Sequence, residues 1–342
     1  MYFASNSWHQ NIIVQEKEES PYKPETTLLC VTARLRNVID LNIAPKVLIK
    51  VWRLFTFQKM RYQYPMKRRY LEIDVFGAEP SRGNALGVVL DSEDLTTDAM
   101  QEFAAWTNFS ETTFLFPSTA EGADYKVRIF TPTRELPFAG HPTLGSCFAW
   151  LQAGNKPSDP NIVVQDCDAG LIEIRQDGKS LSFKSPALIK YGTIETALIS
   201  EIAEVLNIDQ AKIIDGHWLD NGPGWVGVLL SSVDEVLAIS PKSKSSLNIG
   251  VFGFYEQNSG PAYETRAFFS ENGVLVEDPV TGSLNAAAAQ WFIQSDRCSA
   301  PYSVSQGLAI NHKGEVKVTQ DHDGSIWIGG NTHLTSFAEV EI

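Results

Sequence analysis

Cysteine is scarce in this chain and irregularly placed. Cys30, Cys147, Cys167 and Cys298 form no C-x-x-C pair. That excludes a small disulfide scaffold and fits reduced thiols of an intracellular protein. No apolar run approaches the ~20 residues of a membrane-spanning helix, so no membrane partner is expected. The start, MYFASNSWHQ, lacks a basic segment followed by an apolar core, so it does not read as a secretory signal. Basic residues are in deficit, 28 Lys and Arg against 41 Asp and Glu, for a net charge of −13. Such a chain is ill suited to non-specific nucleic-acid binding, which rests on basic contacts to phosphate. The familiar catalytic signatures are missing too. There is no G-x-x-x-x-G-K-[ST], no H-E-x-x-H and no G-x-S-x-G. The six histidines are scattered, and Asp321-His322-Asp323-Gly324 reads as a hairpin turn, not a metal site. Gly222 to Gly227 matches G-x-G-x-x-G but runs into a strand, against a dinucleotide site.

What remains is globular material: 342 residues, 43% hydrophobic and 20% charged. Charge divides it. Residues 1–69 carry 12 Lys and Arg against 5 Asp and Glu and contain no glycine, whereas residues 70–342 carry 16 against 36. Residues 1–69 are therefore expected to be a basic, poorly ordered extension. A mitochondrial leader is the competing reading, weakened by the acidic EKEES at 16–20. The expected location is cytoplasmic.

From Tyr70 the pattern is regular. Strands are expected at 70–76, 85–90, 111–117, 125–131, 172–176 and 180–184, with helices at 92–108 and 140–154. A second series follows: a helix at 194–208, strands at 224–233, 248–257 and 263–269, a helix at 282–294, then closing strands. The strict β-α alternation of a Rossmann domain is absent. The series are alike. His141-Pro142 aligns with Asp278-Pro279 and Gly145-Ser146 with Gly282-Ser283, both at a spacing of 137 residues. A duplicated domain is the simplest explanation, with halves at 70–190 and 191–342.

Both aligned segments start helices. Free N–H groups and the macrodipole at a helix start attract anions. Two such starts in one cleft suit a small carboxylate and an enolate-like charge developing on it. His141 and Asp278 are expected to face each other there as acid and base. Taken alone, Asp278 is equally a plain N-cap. Glu111 precedes the apolar run TTFLF, so partial desolvation would raise its pKa; read by itself it is equally a solvated strand-edge carboxylate.

The ordered runs LEIDVFGAEPSRGNALGVVL, NFSETTFL, FAGHPTLGS and EDPVTGSLNAA resemble the phenazine-biosynthesis PhzF-like isomerase family over about Tyr70 to Ile342. The resemblance implies the diaminopimelate-epimerase fold, an α/β (α+β) architecture of two similar halves, each a mixed sheet around a central helix. It implies proton transfer without a cofactor, Glu111 taking a proton from one carbon and returning it to another. His141 and Asp278 would complete the catalytic set, and Gly140, Thr143, Thr281, Gly282 and Ser283 would bind substrate. No metal is expected. The expected partners are a small-molecule carboxylate substrate and a second copy of the chain in a homodimer. Two readings stay open beside this one: a non-catalytic binding protein, and a racemase of the same fold. Two-thiol racemases place a cysteine at each helix start. Here Cys147 lies further into its helix and has no cysteine counterpart at Leu284.

A chain beginning at Met66 should fold with an unchanged thermal midpoint. Loss of soluble protein on that truncation would make the extension part of the core.

Overall fold

The structure is a computed structural model that describes residues 66–342 except 179, 243 and 257–259. The expectation of a poorly ordered extension lies almost wholly outside the described residues. Its last members do not. Strand β1 spans Lys67–Val75, and Arg68 is buried and hydrogen-bonds the Asp91 carbonyl. The fold therefore begins three residues earlier than the charge seam.

Eight strands close into a ring. They are β1, β2 (Asn84–Val89), β3 (Glu111–Phe116), β4 (Tyr125–Phe130), β6 (Ile162–Cys167), β7 (Gly170–Asp177), β8 (Ser180–Lys184) and part of β17 (Ile326–Glu341). The two-residue β5 (Glu135–Leu136) pairs with β4 outside the ring. Helix α2 (Gly140–Gln152) packs against β1, β2, β3 and β8 of this ring with nine residues buried. Pro142 sits in its first turn, where its missing N–H leaves no bond unmade. Gly154, at φ +89°, follows its C-terminus.

The second sheet repeats the pattern around α5 (Gly282–Gln294). Its order is β9 (Lys190–Thr193), β10 (Ile213–Asp220), β11 (Trp225–Leu230), β12 (Asn248–Phe254), β13 (Tyr263–Glu271), β15 (Tyr302–Gln306), β16 (Gly314–Gln320) and β17. Strand β14 (Val274–Asp278) pairs with β13 as β5 does with β4. In both sheets the parallel pairs fall at the same steps, β2–β3 with β4–β6 and β11–β12 with β13–β15. This is the mixed α+β, diaminopimelate-epimerase-like architecture. The runs GVVL and GVLL do not alternate because both faces of their strands are covered. One face meets the central helices. The other lies under α1 (Thr97–Thr107) in the first sheet and α3 (Thr196–Leu206) in the second.

Local signals place most boundaries. The helix expected over 92–108 starts at Thr97, because Thr96 is its N-cap and accepts from the Ala99 N–H. The strand expected to end at 233 stops at Leu230, and Ser232 caps a five-residue helix, α4 (Val233–Leu237). Asp321 to Gly324 forms the β16–β17 turn. The sixteen-residue β17 exceeds the expected closing strand. Ile326–Gly329 pair with β16, Trp327–Asn331 with β8 and Thr332–Glu341 with β1, so one strand joins both sheets.

The duplication aligns differently from the sequence spacing of 137. Both central helices have thirteen residues and start at Gly140 and Gly282, 142 positions apart. The β13–β14 hairpin lengthens the second half. Gly140 thus corresponds to Gly282 and His141 to Ser283, while Asp278 ends β14 and is no helix cap. The two starts touch. A Cβ on Gly140 would lie 3.0 Å from Gly282 Cα and 2.8 Å from the Phe183 ring. Gly282→Ala should therefore push the backbones apart at a cost of about 1–3 kcal/mol. A lower urea midpoint with an unchanged m-value is the expected readout.

Candidate active site

Glu111 is placed by a helix end. Helix α1 stops where Asn108 adopts the left-handed conformation, φ 56°, and returns its N–H to the Ala104 carbonyl. The chain reverses through Phe109 and Ser110, and Glu111 opens β3 beside Leu86 of β2. Glu111 lines a cavity of about 1360 Å³ together with Phe109, Ala139, Trp225, Asp278, Thr281 and Ser283. Both halves contribute to the wall, and the walls of α2 and α5 converge where their first turns meet.

Four residues expected from sequence, Glu111, Asp278, Thr281 and Ser283, line the cavity. His141 stands behind them, 4% exposed, with Nε2 3.5 Å from Glu111 Oε2. It does not face Asp278 across open space. Asn84 lies between them, its Nδ2 2.8 Å from Asp278 Oδ1, 3.1 Å from the Val280 carbonyl and 3.4 Å from His141 Nδ1. Thr143 is a correction: its hydroxyl donates to the Ala139 carbonyl and accepts from Gln165, inside the core and away from the cavity. Gly140 and Gly282 are spent on the contact between the helix starts and do not form the cavity wall.

Ser283 Oγ accepts from Trp225 Nε1 at 3.0 Å, and its carbonyl accepts from Asn221 Nδ2 at 2.8 Å. Its own hydroxyl hydrogen is left for a ligand. Asn84, Asn221, Trp225 and Gln306 were not singled out from sequence. Asn84 reads there as part of a turn, and the others come from segments far apart in the chain. Their only sequence signal is polarity inside apolar surroundings.

Burial sets the protonation of the site. Desolvation, with the nearby charges of Asp278 and Glu271, pushes the Glu111 carboxyl up to about 8. Desolvation also lifts Asp278, to about 6, against hydrogen bonds from Thr281 and Asn84. Burial lowers His141 to about 3, so its ring is neutral near pH 7. The pocket therefore carries a proton on Glu111 and a negative charge on Asp278. Cys147 is fully buried inside α2, its thiol pushed up by desolvation, and its structural counterpart in α5 is Ala289. No cysteine among the described residues lines the cavity. Among the described residues no three His, Cys, Asp or Glu side chains converge as metal ligands, and no helix is long and apolar enough to cross a membrane.

Comparison with known proteins agrees with this geometry. A family model described as phenazine biosynthesis-like protein matches residues 73–335. The fission yeast protein "Antisense-enhancing sequence 1" is 35% identical over 284 residues, covering 76% of this chain and 94% of its own. The trans-2,3-dihydro-3-hydroxyanthranilate isomerase of Pseudomonas aeruginosa is 32% identical over 223 residues, 63% of this chain and 76% of its own. The crystal structure of a PhzF-family phenazine biosynthesis protein from Bacillus anthracis superposes with a TM-score of 0.71 at 23% identity. It covers 81% of this chain and all of that one.

The raised Glu111 pKa has a cost in stability. The folded state binds the proton more tightly than the unfolded chain, whose value is 4.5. The contribution is full below pH 4.5 and is lost as pH rises toward about 8. Glu111→Gln removes that loss. Its stability should match wild type near pH 4 and exceed it by pH 9, by on the order of a few kcal/mol, read as a higher thermal midpoint at the upper pH. A constant difference across that range would contradict the buried, protonated carboxyl.

Proposed function

The chain belongs to the phenazine-biosynthesis-like family and is an isomerase of PhzF type, and we propose that it moves a proton between two carbons of a small carboxylate, with Glu111 as the carrier and no cofactor. The observation that carries this reading is Glu111 itself. It is a desolvated carboxyl on the wall of a cleft, facing the start of both central helices. A group that must take a proton and then return it works best with a pKa near the working pH, and about 8 meets that need.

The steps follow from the residues. The substrate carboxylate docks toward the first turns of α2 and α5, where the dipoles and the Ser283 hydroxyl favour an anion. Ionised Glu111 removes a proton from a carbon next to a carbonyl or an unsaturated system. The developing enolate-like charge is held at the same helix starts. Glu111, now protonated, delivers the proton to a second carbon. Neutral His141 backs the Glu111 carboxyl from 3.5 Å and fixes where the proton is carried. Asp278 remains ionised and, by its charge, makes Glu111 a stronger base.

The cavity also bears on the substrate. At about 1360 Å³ it exceeds the ~300–1,000 Å³ of most small-ligand pockets. Phe109, Phe138, Trp225 and Phe269 line it. The substrate is therefore an acid with an apolar or aromatic body. A panel of unsaturated and aryl-substituted carboxylates incubated in D₂O tests this. Wild type should introduce deuterium at carbon into at least one such acid. Glu111→Gln should lower that rate by about 10²–10⁴-fold with binding retained. In wild type, kcat/KM should rise with pH toward a plateau above about 8, where Glu111 is ionised. Full activity of Glu111→Gln would remove Glu111 from the chemistry, and binding without exchange would make the protein a binder.

A further inference from the structure

Among the carboxyl groups that line this cleft, burial raises both Glu111 and Asp278, and something decides which of the two holds the proton. We propose that Gln306 is a positioning residue that sets the direction of a hydrogen-bond relay ending on Asp278, holding Asp278 as the carboxylate and leaving the proton to Glu111. The inference rests on the reading of Glu111 as the proton carrier and names what keeps it poised.

Gln306 closes β15, is fully buried and lies outside the cavity wall. Its amide orientation is forced from both ends. The Thr281 backbone N–H can only donate, and it reaches Gln306 Oε1 at 3.0 Å. The Asp278 carbonyl can only accept, and it receives Gln306 Nε2 at 3.1 Å. Asn285 is fixed likewise, giving its Nδ2 to the Thr281 carbonyl and to Gln306 Oε1, both at 2.9 Å.

The remaining bonds then have a single direction. Gln306 Nε2 donates to Thr281 Oγ1 at 2.9 Å. Thr281 Oγ1 lies 2.5 Å from Asp278 Oδ2 and has one hydrogen to give. With Gln306 Oε1 already taken by two donors, that hydrogen goes to Asp278. Asn84 Nδ2, anchored on the Val280 carbonyl, donates to the other oxygen, Asp278 Oδ1. Both Asp278 oxygens therefore accept, an arrangement that favours the ion. Glu111 has no such support. Among the described residues no donor hydrogen-bonds to its carboxyl, and His141 Nε2 at 3.5 Å forms no hydrogen bond.

The other charged groups around Asp278 do not make this choice. Glu277 opposes its ionisation and is itself paired with Arg266, while His312 favours it. Glu111 lies across the cavity, and His141 is neutral beyond Asn84.

The first half provides an internal comparison. Gln165, on the corresponding strand β6, takes the Tyr125 hydroxyl on Oε1 and donates Nε2 to Thr143 Oγ1. Thr143 passes its hydrogen to the Ala139 carbonyl. That glutamine–threonine pair ends on a backbone oxygen, where no proton can be chosen, and its threonine matches Asn285, not Thr281, in the second half. In the second half a threonine one residue before the helix ends the relay on a carboxylate.

The test titrates the carboxyl ¹³C resonances of the full-length protein, with Asp278 assigned from Asp278→Asn. Gln306→Glu has the same shape but turns the relay around. Its carboxylate accepts from Thr281 Oγ1, so Asp278 must protonate to donate in its place. The Asp278 midpoint should rise by at least about one pH unit, a tenfold gain in proton affinity. Thr281→Val, which deletes the donor, should move it in the same direction. Gln306→Met cannot accept from the hydroxyl. It also removes the Nε2 donor that orients that hydroxyl, so it should lower the thermal midpoint and raise the Asp278 midpoint by less than Gln306→Glu does.

A folded Gln306→Glu with an unmoved Asp278 midpoint overturns the proposal, as does a Gln306→Met shift as large as that of Gln306→Glu. If Gln306→Glu does not fold, an unmoved midpoint in Thr281→Val overturns it instead. The titration needs no substrate, so its outcome is separate from whether Glu111→Gln loses turnover.

Discussion

Everything at this site depends on two helix starts coming within contact distance. Gly140 and Gly282 allow it, since a side chain on either would occupy the space of the other backbone. That approach sets the N-terminal turns of α2 and α5 against each other. It places Ala139, Thr281 and Ser283 on one cavity wall. It also gives the molecule one continuous core that runs from Cys147 and Ala149 of α2 to Trp291 and Phe292 of α5. Strand β17, paired with β16, β8 and β1, holds the two sheets at the separation this contact requires.

Burial of the groups around this cleft explains most of its chemistry. Desolvation is the largest cause of the shifts at Glu111, Asp278 and His141. It makes a strong base of one carboxylate and a neutral spacer of the imidazole. The same desolvation opposes folding once Glu111 ionises, so the site gains reactivity at the expense of stability at high pH. Hydrogen bonds then separate two groups that burial treats alike. Asp278 has donors from Thr281 and Asn84, and Glu111 has an unbonded imidazole.

Duplication supplied the frame and left the halves free to diverge. Equivalent helix starts carry His141 in one half and Ser283 in the other, and a buried glutamine bonds a threonine that ends on a carbonyl in the first half and on a carboxylate in the second. The lengthened β13–β14 hairpin carries Asp278 to the cleft, where the two-residue β5 of the first half places Glu135, held by the Arg128 guanidinium. A pseudo-symmetric cleft with unlike ends suits the proposed proton transfer between two different carbons. The like thiols of a two-base racemase would instead serve a substrate approached from both faces.

Much of this was legible before any coordinates. Period-two runs at 125–131 and 180–184 and the Ala-rich segment 282–294 became β4, β8 and α5 nearly residue for residue, because local backbone preference and burial pattern agree there. The order of the four motifs identified Glu111, His141, Asp278 and Ser283. Spacing misled where length alone was counted. The 137-residue repeat equated His141 with Asp278, while an insertion in a hairpin shifts the true helix correspondence to 142. The family resemblance implies Thr143 as a substrate-binding residue, yet two positions after His141 on a helix it points to a different face, and its face is the core. Asn84, Trp225 and Gln306 gave no warning, since each is an ordinary polar or aromatic residue whose partner lies tens to hundreds of positions away. Sequence determined which chemical groups this protein has and which local elements carry them. Tertiary structure decided which groups share a desolvated space and which way each hydrogen bond between them points, because those depend on distances set only when the two sheets close around their helices.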